Sequence, residues 1–130
     1  MNQLLTAIMI KEILFVGAGG FLGSAARFLI SELMRGAGRG FPWATLCANL
    51  LGCLLIGLFY GIANRTTGLS ANTLLFLTTG FCGGFTTFST FSKEGLSLLQ
   101  TGSYGAFLAY VLASVVVGLM AVALGFWLTK

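Results

Sequence analysis

A chain of 130 residues, 57% hydrophobic and 8% charged, belongs in a bilayer, because a water-soluble domain carries about 25% charge. The net charge of +4 comes from scattered basic residues, which excludes the clustered basic face of a nucleic-acid binder. There is no His, and Cys47, Cys53 and Cys82 lie apart in apolar stretches, so neither a disulfide framework nor a metal-ligand spacing is present.

Met1 to Ile10 is mildly apolar, and Lys11 and Glu12 read as an interface ahead of a first span over 13–33. A cleaved signal peptide is not expected, since Arg27 interrupts the small-residue region and further spans follow. Gly19/Gly20, Gly23, Arg27 and Ser31 recur by threes and fours on one face, and Gly19 with Gly23 admits a neighbouring backbone. Two roles stay open for Arg27: snorkelling to the interface, or giving an anion vestibule its positive charge. Pro42 and Trp43 then open a second span over 42–63, with proline at a helix start and Trp at headgroup level. Asn49, with Thr45 one turn earlier, is either interhelical glue or a neutral donor for an anion.

The third span, over 73–99, contains the stretch GFCGGFTTFSTFS from Gly80 to Ser92. Paired Gly83 and Gly84 cost a helix about 2 kcal/mol relative to Ala, and Thr86, Thr87, Ser89, Thr90 and Ser92 compete for freed backbone groups. A helix broken around Gly83 to Ser89, near mid-membrane, is the expectation. An ordinary kinked span with close-packing residues is the plainer one. Phe88 and Phe91 project from one side of the resumed helix, and Glu94 lies one turn beyond Thr90. A fourth span over 104–128 carries a semi-polar stripe of Ser103, Phe107, Tyr110, Ser114 and Gly118. The fold class is therefore all-α, with four transmembrane helices in a single domain.

Four spans place both termini and the second loop on one side, with Lys11, Arg65 and Lys130. Arg35 and Arg39 lie on the other, joined by Lys93 if the third span ends early. So even a balance gives almost no preferred orientation, and two oppositely inserted copies could meet across a two-fold axis in the membrane. An antiparallel homodimer in the lipid bilayer is the resulting expectation.

The glycine-rich run ending in Arg27, the pattern Pro42-x-x-Thr45-x-x-x-Asn49-x-x-Gly52 and above all GFCGGFTTFSTFSKE resemble the small bacterial fluoride channels of the CrcB/Fluc family. The resemblance covers all four spans. It implies a dual-topology antiparallel dimer of the inner membrane that exports toxic fluoride passively through two pores. It also implies a structural sodium ion at the dimer centre, held by backbone carbonyls of Gly83 and Thr86. On the fluoride path it places Asn49, Phe88 and Phe91, then Tyr110 and Ser114 as a polar track with Thr90 and Ser89 near it, and Glu94 near the pore end. Gly118 departs from the pattern where a further hydroxyl would stand, so water or another span must supply that contact. The absence of a mid-span carboxylate, with Arg27 the deepest charge, favours an anion on physical grounds as well. A four-span drug/proton antiporter is the alternative, but it needs a titratable carboxylate in its cavity, and Glu12, Glu32 and Glu94 sit near span ends. Without His or a mid-span acid, an enzyme is not expected.

Overall fold

The computed structural model describes residues 2–37, 40–65 and 68–130. Arg39, counted above in the charge balance, and Thr66 and Thr67 of the second loop lie outside the described residues. Helix α1 runs from Gln3 to Leu33, so residues 3–10 are continuous with the first span. Asn2 starts it, its side-chain oxygen accepting the Leu5 N–H at 2.8 Å. Helix α2 (Trp43–Arg65) follows Pro42, ending two residues later than the apolar pattern suggested, with Arg65 in its last turn against the negative end of the helix dipole.

The third span is assembled from pieces. Ser70 caps α3 (Ala71–Leu75), which passes into a wide π-helical segment π1 (Phe76–Cys82) and then a short α4 (Gly83–Phe85). Thr86 and Thr87 have extended backbones, with φ/ψ of −89°/159° and −151°/119°, before α5 (Phe88–Gln100) begins. Gly83 and Gly84, expected to open the irregular stretch, are helical instead. Gly84 serves packing: a Cβ on it would lie 2.6 Å from the Gly20 carbonyl oxygen of α1. After the turn at Gly102 come α6 (Tyr104–Leu112), a second π segment π2 (Ala113–Val117) and α7 (Gly118–Thr129). Neither wide turn was legible beforehand, because i→i+5 bonding leaves no residue signature.

Among the described residues, four helical stretches are long and apolar enough to cross a membrane: Gln3–Leu33, Trp43–Arg65, Ala71–Gln100 and Tyr104–Thr129. They pair by backbone approach. Along the α2–α7 seam, a Cβ on Gly57 would lie 3.0 Å from the Phe126 nitrogen, and one on Gly125 would lie 2.7 Å from the Leu58 nitrogen. Helix α1 lies against π1 and α4, where a Cβ on Gly23 would lie 2.8 Å from the Phe85 nitrogen. Such contacts need small residues, since apolar side chains gain nothing from leaving lipid for protein. Few side chains are buried, and large apolar ones such as Phe21, Phe28, Leu119 and Trp127 face outward, as hydrocarbon contact requires.

Candidate functional site

The extended pair Thr86–Thr87 strands backbone groups that a continuous helix would have paired, and side chains from two other spans collect them. The Thr87 N–H, which a continuous helix would give to the Gly83 carbonyl, donates instead to Asn49 Oδ1 at 2.8 Å. Asn49 Nδ2 returns a bond to the Thr87 carbonyl at 3.2 Å. One amide thus pairs with both backbone groups of one residue, as a neighbouring strand would. The Gly84 carbonyl accepts from Arg27 Nε at 3.2 Å. Thr86 spends its N–H and its hydroxyl on the Cys82 carbonyl, at 3.0 and 2.8 Å. Thr87 Oγ1 in turn accepts the Thr90 N–H at 3.2 Å and starts α5. Among the described residues, no hydrogen-bond donor meets the carbonyls of Gly83 and Thr86.

Beside this clamp lies a cavity of about 530 Å³ with no charged residue among the described residues of its wall; Asn49, Thr87, Phe88, Phe91 and Ser114 contribute to its lining. Phe88 is 79% exposed on the single chain. Its ring centroid stands 5.8 Å from that of Phe91, which in turn stands 5.0 Å from Tyr110. The Ser114 hydroxyl is buried and unpartnered among the described residues. A second cavity, of about 290 Å³, is walled by Ser24, Arg27, Ser31, Thr45, Thr90 and Glu94 among others. Tyr110 is fully buried behind Phe91 and donates its hydroxyl to Glu94 Oε1 at 3.2 Å. Among the described residues, no group of three or more His, Cys, Asp or Glu converges.

The profile of the family described as CrcB-like protein, Camphor Resistance (CrcB), matches residues 14–126. The chain belongs to this family. It is 45% identical over 121 residues to the fluoride-specific ion channel FluC of Phocaeicola vulgatus, a match covering 92% of this chain and 99% of that one. The protein of the same name from Bacteroides fragilis is 48% identical over 122 residues, covering 91% and 95%. That of Chlorobaculum tepidum is 46% identical over 123 residues, covering 95% and 98%. These relatives are named as ion channels, a class that is not enzymatic.

In this CrcB chain the residues singled out from sequence fall into two groups. Asn49, Phe88, Phe91, Ser114 and Thr86 meet at the first cavity, together with Gly83. Arg27, Thr45, Thr90 and Glu94 meet at the second. Tyr110 links the groups without lining either cavity, and Ser89 stands outside both, its hydroxyl 3.3 Å from that of Thr87. Thr78, Thr79 and Cys53 also line the first cavity and were not singled out for it. The hydroxyls of Thr78 and Thr79 stood in the same span, just ahead of Gly80. Their direction could not be read, because one extra residue per turn rotates the rest of the helix by about 100°. Cys53 is the residue that faces Gly118: a Cβ placed there would lie in ordinary contact, 3.5 Å from the Cys53 sulfur of α2.

Proposed function

We propose that this chain is a passive, fluoride-selective channel that carries fluoride across the bacterial inner membrane and so relieves its toxicity. The observation that carries the reading is the uncharged cavity with Asn49, Phe88, Phe91 and Ser114 in its wall, in a chain whose relatives are named fluoride-specific channels. Fluoride is small and strongly hydrated, so donors must replace the water it loses. The unpartnered Ser114 hydroxyl and the second Nδ2 hydrogen of Asn49 are such donors. Phenylalanine edges carry partial positive charge and face an anion without holding it tightly, which permits exit. Thr90, Thr45 and Glu94 of the second cavity, with Tyr110 bonded to Glu94 and Ser89 near Thr87, extend the polar route toward the pore end. The antiporter reading has less support, because the relatives are named ion channels rather than exchangers. Vesicles loaded with fluoride should empty when valinomycin relieves the charge build-up, with chloride moving far more slowly. Emptying that ignores membrane potential, or chloride keeping pace, would defeat this reading.

The same reading places Thr86–Thr87 as a break in the third span near mid-membrane, at the meeting point of two antiparallel copies. Support comes from the even basic counts of the two sides and from Gly83, exposed on the single chain. A cysteine in place of exposed Gln3, in a background freed of Cys47, Cys53 and Cys82, should label from both sides of intact cells. Labelling from one side alone rules out dual topology.

At such a meeting point a sodium ion fits the donors present. The Gly83 and Thr86 carbonyls lack hydrogen-bond donors among the described residues, and an unsatisfied carbonyl in hydrocarbon costs several kcal/mol. Two copies would offer four neutral, hard oxygens, which suit a monovalent cation. When bound, sodium would supply positive charge that neutralises these dipoles and ties the two breaks together. Exhaustive exchange of sodium for N-methylglucamine should lower the melting temperature of the dimer and its flux together. Unchanged values after long equilibration would remove the ion from the account.

A further inference from the structure

The arginine of the first span has two chemically separate parts, and the structure engages only one of them with the backbone of the third span. In a continuous helix the Gly84 carbonyl would accept the Phe88 N–H, but the extended Thr86–Thr87 pair carries that donor away. Arg27 Nε takes its place at 3.2 Å, in a part-buried contact. The route to it is built by glycine. A Cβ on Gly23 would lie 2.8 Å from the Phe85 nitrogen, and one on Gly84 would lie 2.6 Å from the Gly20 oxygen. Arg27 stands one turn beyond Gly23 on the same face, so this approach delivers its side chain to the end of α4. Arg27 also lines the cavity shared with Ser24, Ser31, Thr45, Thr90 and Glu94.

We infer that Arg27 is a positioning residue: its Nε–H holds the Gly84 carbonyl at the interruption of the third span, and this bond, rather than the positive charge, is what ion passage requires. The inference rests on the fluoride-channel reading for its flux readout. It is also local. Gly84 directly follows Gly83, whose carbonyl is a proposed sodium ligand, and Thr87 is clamped by Asn49 three residues on. Arg27 and Asn49 therefore pin the two ends of one short irregular segment, one from α1 and one from α2.

Glutamine separates the two parts of the arginine. Its side-chain nitrogen stands the same number of bonds from Cα as arginine Nε, so Arg27→Gln keeps the donor and discards the charge. Arg27→Met has similar length and keeps neither. With full-length protein in vesicles, Arg27→Met should lower fluoride flux about tenfold, the scale of one lost charge-assisted bond to a buried carbonyl. Arg27→Gln should restore most of that loss, with the half-saturating fluoride concentration within about twofold of wild type, because a charge-assisted bond is only roughly twice as strong as a neutral one. Equal impairment of both variants, or a half-saturating concentration raised severalfold in Arg27→Gln, would overturn the inference and return Arg27 to service as an anion attractor. If Arg27→Met fails to assemble, assembly and flux in Arg27→Gln still support the bond, and failure of both variants to assemble refutes it. Wild-type protein without fluoride flux would defeat the channel reading alone. The ranking of melting temperatures, wild type and Arg27→Gln above Arg27→Met, would still test the bond.

Discussion

The α2–α7 seam and the Thr86–Thr87 interruption solve opposite problems with different residues. Along the seam both helices satisfy their own backbones, and the remaining requirement is closeness. Gly57, Gly61 and Gly125 supply it by having no side chain, and Thr129 adds a bond from its hydroxyl to the Leu58 carbonyl at 2.9 Å. At the interruption the backbone cannot satisfy itself. Asn49 and Arg27 bring side-chain donors and acceptors from neighbouring spans to do so. The seam is therefore sensitive to volume and tolerant of polarity. The interruption should have the reverse sensitivity: one region holds shape, and the other exposes polar groups away from water.

Gly57→Leu tests the seam and should have the largest effect. Its Cβ would lie 2.9 Å from the Val122 carbonyl carbon, which is backbone and cannot rotate away. Overpacking costs about 1–3 kcal/mol where neighbours yield, so here loss of the folded protein from detergent extracts is expected. Recovery of a monodisperse, conducting Gly57→Leu protein would show that the seam is softer than its geometry.

Substitutions at the interruption and in the cavity wall should divide by whether they touch the clamp. Asn49→Leu should abolish flux and also lower the melting temperature, because the N–H and the carbonyl of Thr87 each lose a partner at about 1–3 kcal/mol. Phe91→Ile should lower flux and would remove the ring contact to Tyr110 at 5.0 Å, a contact worth about 0.5–1.5 kcal/mol beyond its area. Phe88→Ile gives the smallest structural effect, since Phe88 is 79% exposed, yet it should reduce flux about tenfold if the aromatic edge meets the ion. Parallel melting curves and efflux traces separate these outcomes. An Asn49→Leu protein as stable as wild type would mean that the amide serves the ion alone. Wild-type flux in Phe88→Ile would return that ring to a packing role.

Composition and periodicity alone determined that this is a bilayer protein of four spans, because 57% hydrophobic residues with 8% charge permit little else. The face of Gly19, Gly23 and Arg27 was also legible, since helical spacing of small residues marks a close approach whatever the partner. So was the neighbourhood of the irregular stretch, from the crowd of hydroxyls after Gly84. What tertiary structure decided was the placement within that stretch. Gly83 and Gly84 remained helical because α1 packs against α4, with the Gly20 backbone close to Gly84. The chain turned extended at Thr86 and Thr87, where an amide from a span 38 residues away could pair with it. Helix propensity is a local cost of about 1 kcal/mol per glycine, whereas satisfying a stranded backbone group in lipid is worth several. The position of the interruption therefore followed the partners, and only the folded chain shows where those partners stand.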